Sequence, residues 1–144
     1  MEELIQQMKV VLANMFAFYL EAHYFHWNVT GPDFPQLHEF FGNLYESVHD
    51  SVDDIAEHIR ALNEYSPGTL SRFKELTEIE EETTILKDRQ MVAKLLIDNK
   101  KVIDCLNSAF KLAIKADQQG LANYLSERVD AHMKHQWMLR SIIS

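Results

Sequence analysis

The sequence predicts an all-α protein: four long amphipathic helices in two pairs, joined by one long crossover. Three observations carry this. Apolar residues recur three and four positions apart over four separate stretches, the signature of helices with one buried face. The 144 residues include only four Gly and three Pro, too few for the many turns of an all-β fold. Hydrophobic residues make up 47% of the chain, enough for a core at a length that suits one domain. Residues 1–144 are read as that single domain.

The first helix is placed from about Glu3 to Asn28, with Ile5, Met8, Leu12, Met15, Phe16 and Tyr19 on its apolar face and His23 and His26 continuing it. Gly31-Pro32 ends this run. Asp33 is then a candidate N-cap, with Gln36 three residues on completing a capping box. The second helix runs from about Phe34 to Leu62, with a stripe of Leu37, Phe41, Leu44, Val48, Val52, Ile55 and Ile59. The segment from Asn63 to Leu86 is too long for a plain turn. It opens on Ser66-Pro67-Gly68, has room for a short helix over Ser71 to Leu76, and carries Glu78, Glu80, Glu81 and Glu82. The third helix is placed from about Lys87 to Ala116, carrying Leu95, Leu96, Ile103, Leu106, Phe110 and Ile114, and the fourth from about Leu121 to Ile142, with Gly120 allowing the turn between them.

Bulk properties narrow the function. A net charge of −8 opposes binding to a phosphate backbone unless cations cluster. They do not: Lys9 is the only Lys or Arg among the first 30 residues, and Lys134 and Arg140 are the only two among the last 15. DNA binding through a basic tail is therefore not expected. The single cysteine, Cys105, excludes an intrachain disulfide. No apolar run approaches the roughly 20 residues of a membrane span, and Met1-Glu2-Glu3-Leu4 lacks the basic start of a secretory signal. A cytoplasmic location, free or at the nucleoid, is the expectation.

The chemistry concentrates between Ala22 and Ile59. His38, Glu46, His49, Asp53 and Glu57 fall on one side of the second helix, flanking its apolar stripe, and His26 lies near the end of the first. A solvated polar face is the plain alternative. Such faces usually mix Lys with Glu, whereas this one is His and carboxylate. Imidazole with carboxylate suits a borderline metal such as iron(II) or zinc. The short turn after Asn28 brings His26 and His38 together, and Asp53 and Glu57, four apart, are neighbours on one face. Between His38 and Asp53 lie about 22 Å of helix at roughly 1.5 Å per residue. One chain cannot close a site from both halves. An antiparallel two-fold pairing of the second helix would, making two equivalent sites per dimer. Glu46-Ser47-Val48-His49 is a Glu-x-x-His motif, but a di-iron centre inside a bundle needs two. Glu46 and His49 are read as secondary candidates. His23 is read as a hydrogen-bonded core residue.

His26-Trp27-Asn28-Val29-x-Gly31, Phe34-x-x-Leu37-His38, Asp53-x-x-Ala56-Glu57, Pro67-Gly68-Thr69-Leu70 and His135-Gln136-Trp137-Met138-Leu139-Arg140 together closely resemble the Dps-type mini-ferritins over nearly the whole chain. The resemblance implies a ferritin-like four-helix bundle assembled into a hollow dodecamer. It implies a ferroxidase that oxidises iron(II), usually with hydrogen peroxide and otherwise with dioxygen, and stores the ferric mineral. His26 and His38 match the ligands given by one chain, Asp53 and Glu57 those given by the other, and Trp27 an aromatic beside the centre. Many members carry an acidic ligand four residues after the second His, where this chain has Gly42; one iron or two per site stays open. Two rivals are kept: a nucleoid DNA binder, and a structural oligomer whose site is empty or holds zinc.

Overall fold

The computed structural model describes residues 1–144 as five helices and no strands: α1 (Glu2–Asn28), α2 (Phe34–Ala61), α3 (Leu70–Leu76), α4 (Asp88–Lys115) and α5 (Gln119–Ile143). α1 packs on α2, α4 packs on α5, and the two pairs meet along α1 and α4, with α3 laid against α1. The long connection between α2 and α4 is the crossover that joins the pairs.

α1 buries Leu4, Met8, Val11, Leu12, Met15, Phe18, Ala22 and Phe25, a stripe at helical spacing that makes it the central element. Glu2 and Glu3 in its first turn complement the positive end of the helix dipole. The stripe is rotated from the expected one. Ile5, Phe16 and Tyr19 are only half-buried, and the Phe16 ring stacks on Phe73 of α3 with centroids 4.9 Å apart. The outer flank of α1 is thus covered by the short helix of the crossover.

α2 buries Leu37, Phe41, Leu44, Val48, Ile55 and Ile59 as expected, but Ser51 takes the buried place given to Val52, which is half-buried. A serine fits there because its hydroxyl donates to the Val48 carbonyl at 2.6 Å; the Ser51 carbonyl in turn accepts the Tyr124 hydroxyl of α5 at 3.3 Å. Asp33 stands at the N-cap position, yet its side chain makes no cap bond, so the expected capping box is not formed. Pro35 in the first turn removes one amide donor. The entry is instead held by main-chain bonds from Phe34 to Gly31 and from Leu37 to Asp33. Gly31 has φ +120°, a backbone region that favours glycine, and places the break between the helices. α2 ends where Asn63 turns left-handed (φ 65°), a conformation Asn tolerates.

The crossover is strapped to α1. Asn14, fully buried, accepts from the Thr77 hydroxyl and the Glu78 amide, each at 2.8 Å, and donates to Glu78 Oε1 at 2.8 Å. Ile79 is buried beside it, and Tyr24 donates to the Thr84 carbonyl at 3.1 Å. The chain then enters α4, where the Gln90 side chain accepts the Lys87 amide at 3.1 Å. The turn into α5 is made by Asp117 (φ 56°), not by Gly120. Gly120 lies within the first turn of α5, because Gln118 folds back onto the Ala113 carbonyl at 2.9 Å and starts the new helix early. Ile114, expected on the apolar face of α4, is 52% exposed.

Candidate metal-binding site

The short turn from Val29 to Asp33 sets the last turn of α1 beside the second turn of α2, and this brings His26 against His38. The rings stack with centroids 3.8 Å apart and planes 15° from parallel. His26 Nδ1 lies 2.6 Å from the His38 main-chain carbonyl, and His38 Nδ1 lies 2.8 Å from the His26 carbonyl. A carbonyl oxygen only accepts, so both Nδ1 atoms carry the proton and donate. In the neutral rings both Nε2 lone pairs are then free to bind a metal. A main-chain carbonyl behind each ring is also the support that metal-ligating histidines commonly have, fixing tautomer and orientation. Phe34 stacks on the outer side of His38 at 5.0 Å.

The carboxylates lie farther along α2. Asp53, Asp54 and Glu57 are all exposed, and each presents an oxygen within 4.8 Å of the others. Asp54 belongs to this acidic group and was not singled out from the sequence; its spacing, three residues before Glu57, was the available signal. α2 runs unbroken from Phe34 to Ala61, so about 22 Å of helix at 1.5 Å per residue separates His38 from Asp53. Within one chain the imidazole pair and the carboxylate cluster are therefore two separate groups. Glu46 and His49 lie between them and are exposed; the His49 ring packs on Tyr19, centroids 4.6 Å apart.

Gly42 lies one turn beyond His38. A Cβ there would stand 3.1 Å from His26 Cε1 and 3.2 Å from Nδ1, so the space next to His38 is filled by the His26 ring. His23 receives the Tyr19 hydroxyl at Nδ1 (3.0 Å) or donates to it, lies flat on the Tyr45 ring at 3.8 Å and meets Trp27 at 4.0 Å. Burial, followed by the nearby imidazoles of His26 and His49, lowers its pKa.

Two buried polar clusters lie away from these groups. His132 and Asn99 are fully buried; His132 Nδ1 donates to Asn99 Oδ1 at 2.8 Å, and Arg128 donates to His132 Nε2 at 3.1 Å. Both ring nitrogens are committed, so His132 is no ligand. Burial, and then Arg128, push neighbouring His135 down to about 4. On the other side of α4, Lys94 joins Glu21 (3.0 Å), Asp98 and the Glu80 carbonyl (2.8 Å). Burial, and then the Asp98 carboxyl, raise Glu21 to about 8, against the pull of Lys94.

Comparison with known proteins places this architecture. Residues 5–144 match the model of the ferritin-like domain, and the chain belongs to that family. Within it the chain is a mini-ferritin of the Dps type. It is 32% identical to the DNA protection during starvation protein of Brevibacillus brevis, over 99% of each chain. It is 30% identical to general stress protein 20U of Bacillus subtilis, over 99% of this chain and 98% of the other. Among solved structures, Dps from Staphylococcus aureus superposes with a TM-score of 0.95 at 29% identity, covering 100% of this chain and 97% of that one. Dps from Bacillus brevis gives 0.95 at 29%, covering 99% and 96%. The long crossover with its short helix and the expected connectivity are both borne out. No helix is long and apolar enough to cross a membrane.

Proposed function

We propose that the protein is a ferroxidase and iron store, in which His26 and His38 of one chain face Asp53 and Glu57 of a two-fold partner. The observation that carries this reading is the imidazole pair: two stacked rings, each tied at Nδ1 to a main-chain carbonyl, leave two Nε2 lone pairs with no acidic partner in their own chain. Trp27, Phe34 and Leu20, at 60%, 40% and 42% exposed, give this end of α1 and α2 apolar surface that a second copy would cover. A two-fold pairing of α2 makes two equivalent sites, and twelve such chains close into the hollow shell that mineral storage requires.

Iron(II) is the substrate. The imidazoles hold it as borderline donors, and the carboxylates offer hard anionic oxygen that favours the ferric product. Each hydrogen peroxide takes one electron from each of two iron(II) ions; its O–O bond breaks and its oxygens leave as hydroxide or water. Hydrolysis of the ferric product then releases protons. Dioxygen is the alternative oxidant. Asp54, within reach of both other carboxylates, adds a ligand at the same edge. With a net charge of −8, the shell binds duplex DNA weakly at physiological salt, and the cytoplasm is its place of action.

The test is iron(II) added to the purified protein with hydrogen peroxide, followed by ferric absorbance and by particle mass. Rapid oxidation with iron retained in a particle of twelve subunits is expected. A stable monomer or dimer near neutral pH, or oxidation no faster than in buffer, overturns the reading. Tight binding of zinc with no iron turnover would favour the structural, zinc-holding alternative.

A further inference from the structure

We propose that the two-fold axis of the dimer crosses α2 at Glu46, so that each Glu46 carboxylate meets its own copy and the centre of the contact is a pair of like charges. This rests on the reading of His26 and His38 as ligands completed by Asp53 and Glu57 of a second copy, and it adds the register of that pairing and its dependence on salt.

The register follows from symmetry. α2 is one unbroken helix from Phe34 to Ala61. Asp53 and Glu57 centre on position 55, and the shared site sets that position opposite His38 of the other chain. In an antiparallel two-fold pairing the same surface meets itself, and each residue exchanges with its opposite. The axis therefore crosses the helix halfway between positions 38 and 55, at Glu46 and Ser47. Glu46 also has the right direction. It stands seven residues before Asp53 and eleven before Glu57, close to two and three whole turns at 3.6 residues per turn. It thus shares the face whose carboxylates reach across to the second copy, and it is exposed.

The charge on this stretch has one sign. From His38 to Glu57, α2 carries Glu39, Glu46, Asp50, Asp53, Asp54 and Glu57 and no Lys or Arg. All six carboxylates are exposed, and none is in an ion pair within its own chain. In the same register Glu39 falls opposite Asp54 and Asn43 opposite Asp50. The ends of the contact have attraction of their own. There imidazoles meet carboxylates around a cation, and exposed Trp27 and Phe34 bring apolar surface to be covered. The centre has neither. Like charges set against each other weaken an association, and salt screens charges that remain near water. Two copies should therefore hold together less tightly as ionic strength falls, with the Glu46 pair as the central cause.

The test uses single cysteines in the assembled protein, where Cys105 is buried and the unmodified chain is the control. A disulfide needs Cα atoms within about 7 Å, so a lone cysteine joins its own copy only beside the axis. Glu46→Cys is expected to oxidise rapidly to a covalent dimer. Asn43→Cys and Asp50→Cys should each fail alone, since each lies about 10 Å along the helix from its own copy at 1.5 Å per residue, yet crosslink to each other when co-expressed. No dimer from Glu46→Cys, or self-crosslinking of Asn43→Cys or Asp50→Cys at the same rate, overturns the register. The charge is tested with Glu46→Gln, by particle mass on dilution. At about 0.01 M salt the variant should hold its dimer contact at least about threefold more tightly than the unmodified protein, with the gain shrinking by about 0.15 M. Equal affinity at both salts overturns the like-charge pair. Zinc titration separates this from the reading beneath it. If co-expressed particles of a chain lacking His26 and His38 and a chain lacking Asp53 and Glu57 bind zinc while the crosslinks fail, the shared site stands and the register falls alone. If the unmodified protein binds no zinc, the site itself is misassigned and the proposal falls with it.

Discussion

His26 and His38 each donate Nδ1–H to the other's main-chain carbonyl, at 2.6 and 2.8 Å, so one pair of side chains both ties α1 to α2 and presents two free Nε2 atoms. The two roles are separable. Asparagine places its amide nitrogen near the position of Nδ1 but has nothing at Nε2. His38→Asn should keep the tie and unfold like the unmodified protein, while iron oxidation slows at least tenfold. His38→Ala removes both and should cost about 1 kcal/mol more, the net worth of one hydrogen bond. Denaturant unfolding read beside ferric absorbance checks this. Wild-type oxidation by His38→Asn would remove His38 from the site.

Glu21 should make stability depend on pH. Its carboxyl is raised from 4.5 to about 8 by burial first and by Asp98 second, against the pull of Lys94. The folded chain then keeps a proton that the unfolded chain gives up. The contribution is fully present below about pH 4.5 and is lost as pH rises towards 8. Glu21→Gln holds the hydrogen bond without titrating. Across that window the unmodified protein should lose stability relative to the variant, with a slope of up to about 1.4 kcal/mol per pH unit. Parallel stability curves for the two proteins between pH 5 and 9 would show that Glu21 titrates normally.

Much of the fold is legible in the sequence because helical periodicity is a local property. The ends of all five helices fall within two residues of where the apolar spacing and turn residues set them. The pairing of His26 with His38 and the clustering of Asp53 with Glu57 are legible too, since the first two flank one short turn and the last two are one helical turn apart. What spacing could not show depends on a neighbour far along the chain. Ser51 is buried, and its carbonyl accepts the Tyr124 hydroxyl of α5. Glu21, Lys94 and Asp98 form one cluster across 73 and four positions of sequence. That an added Cβ at Gly42 would stand 3.1 Å from His26 Cε1 shows only in the fold. The turn before α5 was misplaced for another reason: glycine is the usual left-handed residue, and here Asp117 takes that conformation.

Asn14 should be the weak point of the crossover. It is fully buried and makes three hydrogen bonds to Thr77 and Glu78. Asn14→Ala removes all three bonds, each worth about 1 kcal/mol net. A loss of roughly 3 kcal/mol is expected, with faster proteolysis between residues 77 and 87. Stability within about 0.5 kcal/mol of the unmodified chain would show that the loop is held elsewhere.

The sharing of the site between chains can be tested by complementation. One variant carries His26→Ala and His38→Ala; a second carries Asp53→Ala and Glu57→Ala. Asp53 and Glu57 are exposed and His26 and His38 half-buried, outside the apolar core, so each variant should assemble and oxidise iron slowly. Co-expression then forms mixed dimers. In a mixed dimer one site loses all four ligands, and the other draws both imidazoles from the acid variant and both carboxylates from the His variant. Random pairing makes about half the dimers mixed, so about a quarter of the sites should be whole. Ferric absorbance should recover to roughly that fraction. α2 is one unbroken helix between His38 and Glu57, and a site within a single chain could not recover at all, because neither variant carries a full ligand set. Well-assembled mixed particles that stay as slow as either parent would sink the shared site.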